Sequence, residues 1–355
     1  MTVHDPLIAA ASRTKSAIPD DAAMLRAAAD LTRELSTARC SIYWPDMLAS
    51  ALFGYAALAG AILTGDAALA VAFGLVAMLA LYRAASFIHE LTHIRKGALP
   101  GFRFGWNLIV GIPLMIPSFL YEDVHTQHHA RTRYGTANDP EYLPLALMKP
   151  WSLPLFILVA ALAPVGLILR FGVLTPLSLI IPPLRRKVVA EFSALSINPA
   201  YRRRAPEGEF ARQWAWQEAG ASLFALALIG SVFAFGWKPL LIYMAVHSAM
   251  TVINQLRTLV AHLWENEGEA MTVTAQYLDS VNVPPPSPFA AIWAPVGLRY
   301  HALHHLLPSV PYHALGEAHK RLVATLASDS PYHKGNYPGM WPLVGKIARS
   351  TMVRR

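Results

Sequence analysis

The stretch Ala67–His93, AALAVAFGLVAMLALYRAASFIHELTH, decides how this chain folds. From Ala67 to Ile88 it is apolar apart from Arg83, long enough to cross a bilayer as a helix, with Arg83 near the end where its head can snorkel to the interface. Arg83 precedes His89 by six residues, which is about 9 Å of helix. His89 and His93 therefore stand just outside the hydrocarbon on the continuation of that span. At i, i+4 spacing their imidazoles share one helix face, about 6 Å apart.

Working outward, Met47 to Thr64 is an earlier uncharged span, joined to the first by a tight turn at Gly65-Asp66. Gly105 to Leu120 is apolar but broken by Gly111, Pro113 and Pro117, so it reads as interfacial or re-entrant. Leu153 to Leu169 is apolar, and Val173 to Pro183 is too short to cross alone. Ala219 to Phe235 and Pro239 to Ile253 form a hairpin through Gly236-Trp237-Lys238, and the chain is polar after Asn254. Near the start, Pro19 to Ser36 fits a short amphipathic helix capped by Asp20 or Asp21, with Leu25, Ala28, Leu31 and Leu35 on its apolar stripe. It is expected to pack on the cytoplasmic body or lie at the membrane surface. The first 40 residues lack the apolar core of a cleavable secretory signal.

Composition agrees. The 355 residues are 54% hydrophobic and 15% charged, with a mean hydropathy of +0.35, too apolar for an ordinary soluble globule. Cys40 is the single cysteine, which excludes an internal disulfide framework or a thiolate metal cage. The net charge of +8 invites nucleic acid as a partner, but the basic residues lie beside apolar spans, where anionic lipid explains them. The clusters Arg185-Arg186-Lys187 and Arg202-Arg203-Arg204 fall in the cytoplasm by the positive-inside rule. They could also meet lipid phosphates or an acidic electron donor.

Two further pentads repeat the first: His125-Thr126-Gln127-His128-His129 and His301-Ala302-Leu303-His304-His305. Eight of the chain's 14 histidines thus sit in three short boxes. Neutral imidazole is the commonest protein metal ligand, and eight of them imply more than one ion. The boxes can share a site only on one membrane face, so both hairpins leave and return, and the stretch 153–183 must also return, as a re-entrant or interfacial hairpin or, to the same face, as two spans. The expected architecture is all-α and integral to the membrane, with about four transmembrane helices plus re-entrant or interfacial helices under a cytoplasmic helical cap.

The order HxxxH, HxxHH, HxxHH, with span pairs before the first and third boxes, resembles the integral-membrane fatty acid desaturase and hydroxylase superfamily. The resemblance runs from about Trp44 to Leu315. Asp139-Pro140-Glu141-Tyr142, Leu306-Leu307-Pro308 and Pro311-Tyr312-His313 look like the flanks of the boxes in bacterial acyl-lipid desaturases. The resemblance implies two iron ions with His89, His93, His125, His128, His129, His301, His304 and His305 as ligands. It adds His262, placed like an extra histidine ligand of acyl-CoA desaturases. There an asparagine four residues earlier serves through water; here that position is Thr258. His247 reads as a packed intramembrane residue, and His313 and His319 as outer or surface groups. Glu90, Asp139, Glu141 and Glu265 are candidates to orient imidazole N–H groups, with a loop role equally open for Asp139 and Glu141.

The implied domains are a cytoplasmic segment 1–42, a membrane fatty acid desaturase domain 43–320 and a cytoplasmic tail 321–355. The implied reaction is O2-dependent desaturation of a long acyl chain, carried by an acyl lipid or acyl thioester, at the cytoplasmic face of a bacterial inner membrane. No dinucleotide fingerprint, cysteine set or haem motif is present, so electrons come from a ferredoxin or cytochrome b5-type donor with its reductase. A lipid hydroxylase or ketolase of the same superfamily, acting on carotenoid, sphingolipid or alkyl substrates, would carry the same boxes. From other classes, His89-Glu90-Leu91-Thr92-His93 alone matches an intramembrane zinc protease. A transporter or scaffold with incidental histidines would tolerate their loss.

Overall fold

The computed structural model describes residues 18–145 and 148–353. The first 17 residues of the expected segment 1–42, and the last two of the tail 321–355, lie outside the described residues. The chain is all-α. In order come α1 (Ala22–Leu35), α2 (Cys40–Leu63), α3 (Ala67–His93), α4 (Val124–His128), α5 (Ser152–Ile180), α6 (Pro182–Glu191), α7 (Gly208–Phe235), α8 (Lys238–Leu259), α9 (Val273–Asp279), α10 (His301–Leu306), α11 (Tyr312–Thr325) and α12 (Met340–Ala348). Helices α2, α3, α5, α7 and α8 are long and apolar enough to cross a membrane, and the chain is a multi-pass membrane protein. Their outward residues, among them Phe53, Val71, Leu179 and Phe233, are large, apolar and exposed, as a lipid solvent requires.

The α2–α3 hairpin turns where expected, with Asp66 capping α3 by accepting from Leu69 N at 2.8 Å. Small residues let the two helices approach closely: a Cβ on Gly54 would fall 2.6 Å from the Leu81 side chain. Helix α2 begins at Cys40, before the expected Met47. Tyr43 and Met47 are buried there, with Tyr43 edge-on to Phe87, Phe102 and Tyr312. Helix α3 runs unbroken to His93.

Residues 102–120 form the irregular segment read from Gly111, Pro113 and Pro117: a short α-turn, a π-turn at Asn107–Gly111 and a 3-10 turn at Ser118–Leu120. Buried side chains satisfy its backbone. Asn107 Oδ1 accepts from Ser118 N at 2.8 Å, Gln217 Oε1 from Phe119 N at 2.9 Å, and Tyr243 donates to Pro113 O at 2.8 Å. Non-helical backbone at membrane depth is tolerable on such terms.

The stretch 153–183 differs from the expected two-piece hairpin. Helix α5 continues from Ser152 to Ile180 through a π-turn at Leu169–Leu174, and reversal comes at Ile181, before Pro182-Pro183. The π-turn carries Arg170, a charge inside an apolar run, whose buried side chain donates to Phe192 O (2.7 Å), Ser193 Oγ (2.9 Å) and Glu218 (2.6 Å). The chain still returns to the face it left. Leu153 packs with Tyr142 and Leu145, while Leu195 N bonds Leu120 O and Ile197 N bonds Pro140 O, both beside the second box. The basic clusters are divided in role. Arg185 pairs with Glu218, and buried Arg203 donates to the carbonyls of Ser193 and Glu122, whereas Arg186, Lys187, Arg202 and Arg204 are exposed.

A helical cap covers the histidine face. Asp21 caps α1, whose Met24, Ala28 and Leu31 pack among α9, α10 and α11. Asp20 instead accepts from Thr274 N at the start of α9. Replacing Asn107 by Ala leaves the Ser118 N–H unmet in a buried site, and is expected to cost about 1–3 kcal/mol. Thermal unfolding in detergent checks this, with an unchanged melting temperature as the contrary result.

Candidate metal centre

Each box is delivered by a different backbone device. His89 and His93 end the long helix α3; His125 and His128 lie on the single turn α4 with His129 at its cap; His301 and His304 lie on α10, with His305 beside them. His262 is on extended chain beyond α8, held by an antiparallel bridge to Ser280, and a second bridge, Asn282 to Tyr300, fixes the approach to α10. Asn282 Oδ1 also accepts from Leu303 N at 2.9 Å.

The nine histidines singled out from the sequence meet in two groups. His89, His93, His125, His129 and His304 form one, and His128, His262, His301 and His305 the other, each group's ring nitrogens lying within 4.8 Å of one another. The second and third boxes are split between the groups, which no spacing rule announced. The groups adjoin, since the rings of His129 and His305 stack with centroids 4.2 Å apart.

In the first group, Nε2 of His129 lies 3.0 Å from Nε2 of His125 and 3.2 Å from that of His304, which is 3.1 Å from His93 Nε2. In the second, His301 Nε2 is 3.0 Å from His262 Nε2 and 3.2 Å from His305 Nε2. Two nitrogens about 2.1 Å from one ion at a right angle are about 3 Å apart, so these spacings suit shared coordination. His89 is buried with both ring nitrogens lacking a hydrogen-bond partner among the described residues. The donor set is entirely imidazole, which suits iron, zinc, copper or nickel.

Hydrogen bonds on the far side of the rings aim them inward. His128 Nδ1 meets both Asp139 oxygens at 2.9 and 3.0 Å. His125 Nδ1 lies 3.0 Å from Glu141, which also accepts from Tyr121. His262 Nδ1 lies 2.8 Å from the Tyr134 hydroxyl, and Tyr134 and Tyr142 both donate to Asp279. These acceptors keep the proton on Nδ1 and turn the Nε2 lone pair toward the group centre. Burial, and then the neighbouring imidazoles, hold His125, His129, His301, His304 and His305 well below the ordinary histidine range, in the neutral form that binds metal. Burial also lowers His262 strongly. At His128 burial opposes protonation, but the carboxylates of Asp139, Glu141 and Asp279 together outweigh it and the shift is upward. Burial pushes the Glu141 carboxyl up to about 7.

Other sequence candidates fall elsewhere. Glu90 accepts from the Tyr43 hydroxyl and from Tyr312 N, and stands 3.7 Å from His89 Nδ1, beyond hydrogen-bond reach. It orients no imidazole, and a protease's general base would need that carboxylate free on the metal side. His247 is buried edge-on to Tyr243, and His319 bonds the Tyr332 hydroxyl; neither joins a group, nor does His313. Asp279, Tyr121 and Tyr134 were missed from sequence, and Tyr142 was quoted only as part of the flank of the second box.

A cavity of about 680 Å³ opens beside the second group and is lined by His89, His128, His262 and His301. Its far wall is apolar, with Phe156, Val159 and Ala163 of α5 facing Met250 of α8. Thr258 lines it too.

Residues 66–336 match the family described as Fatty acid desaturase. A protein of Caulobacter vibrioides (strain NA1000 / CB15N) named "Ceramide hydroxylase" is 48% identical over 332 residues, 93% of this chain and 94% of that protein. No solved structure matched.

Removing an outer hydrogen bond should loosen the centre without deleting a ligand candidate. Asp139→Asn is expected to lower metal affinity about 10–100-fold, read as metal per chain after dialysis against a graded chelator. Retention equal to wild type would count against the orienting role.

Proposed function

The chain belongs to the fatty acid desaturase family, and from that premise we propose that it is an O2-dependent ceramide hydroxylase. The observation that carries this reading is the 48% identity, across 93% of the chain, to a ceramide hydroxylase. It favours hydroxylation over the desaturation that the boxes first suggested; the boxes do not separate the two, because one oxidant serves both.

His89, His93, His125, His129 and His304 would hold one iron, and His128, His262, His301 and His305 the other. Iron bound there would supply the chemistry that side chains lack, an oxidant drawn from dioxygen and strong enough for an unactivated C–H bond. The balance is one C–H, one O2, two electrons and two protons in, and one C–OH and one water out. Asp139, Glu141 and Tyr134 keep the rings of His128, His125 and His262 in position as charge changes at the centre. The apolar walls from Phe156 to Met250 hold the lipid tail and exclude water from the reacting carbon. Electrons arrive from a separate ferredoxin or cytochrome b5-type donor, for the chain's one cysteine offers no cluster site. The positive-inside rule supports a cytoplasmic position for the histidine face, the side of Arg202 and Arg204, and the inner membrane of a bacterium suits it.

Expression in a host that makes ceramide, under 18O2, is expected to yield ceramide carrying one labelled oxygen, with about two irons per purified chain by metal analysis. His128→Ala should reduce that product to background. Loss of two hydrogens without gain of oxygen would overturn the hydroxylase reading in favour of a desaturase.

A further inference from the structure

Along α8 the cavity wall changes character. Met250 lines its apolar part, and toward the histidines come Thr251, Asn254, Gln255, Arg257 and Thr258. Thr251 and Gln255 are committed to the carbonyls of Ala160 and Phe156 and so join α8 to α5. Arg257 is different. Its Nη2 donates to Asn254 Oδ1 at 3.0 Å and its guanidinium also meets the Tyr82 hydroxyl, while its Nε is buried with no hydrogen-bond partner among the described residues.

Arg257 is half-buried, and the buried Arg170 and Arg203 set the contrast. Arg170 is saturated by Phe192 O, Ser193 Oγ and Glu218, and Arg203 by two backbone carbonyls under the face of Trp214. A guanidinium with a buried N–H and no acceptor is costly, and the natural remedy is an oxygen supplied by whatever fills the cavity. Arg257 precedes His262 by five residues and shares the cavity with His89, His128, His262 and His301. Its charge is also among the influences that lower His262 and His301. An oxygen held there is held next to the reacting position.

We propose that Arg257, with Asn254, is the specificity-determining anchor that grips the amide carbonyl or adjacent hydroxyl of an N-acyl amino-alcohol lipid. The inference rests on the hydroxylase reading and deepens it. The amphiphile enters with its tails toward Met250, Val159 and Ala163 and its polar head toward the histidines. The oxidised carbon therefore lies in the half of the chain next to the amide, and not in the distal tail. A lipid without that oxygen pattern, such as a plain acyl thioester of equal tail length, lacks the matched partner.

The test uses the full-length, iron-loaded protein in detergent, with a short-chain ceramide and an acyl thioester of equal tail length as probes. Ceramide is expected to raise the wild-type melting temperature at lower concentration than the thioester. Arg257→Met is expected to weaken the ceramide response about 10–100-fold with iron per chain unchanged, and Arg257→Lys to recover part of it. Should Arg257→Met lose its iron, Asn254→Leu carries the same expectation. Tandem mass spectrometry of the wild-type product should find the new hydroxyl in the half of the chain next to the amide. Ceramide binding in Arg257→Met equal to wild type, tighter binding of the thioester, or a hydroxyl in the distal half each overturns the anchor. Arg257-dependent ceramide binding that yields a double bond would instead sink the hydroxylase reading and leave the anchor standing.

Discussion

Nine imidazoles gather their ring nitrogens into two tight groups, and the rest of this molecule is arranged around that constraint. A neutral ring has one donor and one acceptor nitrogen. Where Asp139, Glu141 and Tyr134 hold the Nδ1 proton, the Nε2 lone pair must face inward. Nε2 atoms of neighbouring rings lie 3.0–3.2 Å apart, a spacing that suits a shared cation. Burial keeps most of the rings outside the spans neutral.

That demand explains features that would otherwise be costly. Both hairpins must return to one face, and so must the chain between α4 and α7. Asn107, Gln217 and Tyr243 are spent inside the membrane layer on an irregular backbone, so that 102–120 can bring the second box under α3. Arg170 and Arg185 meet on Glu218, anchoring α5 and α6 to α7 and returning the chain beside Leu120. The cap has a parallel task. Two isolated bridges and Asn282 fix His262 and α10 against each other, and Tyr43 and Tyr312 fix Glu90 at the base of the first box.

The cavity follows from the same geometry. The site lies at the ends of α3 and α8, and the cavity beside it takes its apolar wall from α5 and α8.

The sequence by itself determined the class of the molecule, the hairpin spans, the irregular 102–120 segment and eight of the nine histidines that meet in the structure, His262 having entered only through the family resemblance. Those are local properties: apolar runs, breakers at Pro113 and Pro117, and imidazoles one helical turn apart. It could not determine how the boxes divide, because His128 and His129 are chain neighbours whose side chains leave the α4 turn in different directions. Nor could it pick Asp279 and Tyr134 as supports or Arg257 as an unsaturated cation, since each acquires its role from groups more than a hundred residues away or from a cavity formed by several helices. The continuity of α5 was hidden for a related reason. Its composition at Arg170 reads as a break, and only the acceptors supplied by Phe192, Ser193 and Glu218 let the helix run on through that charge.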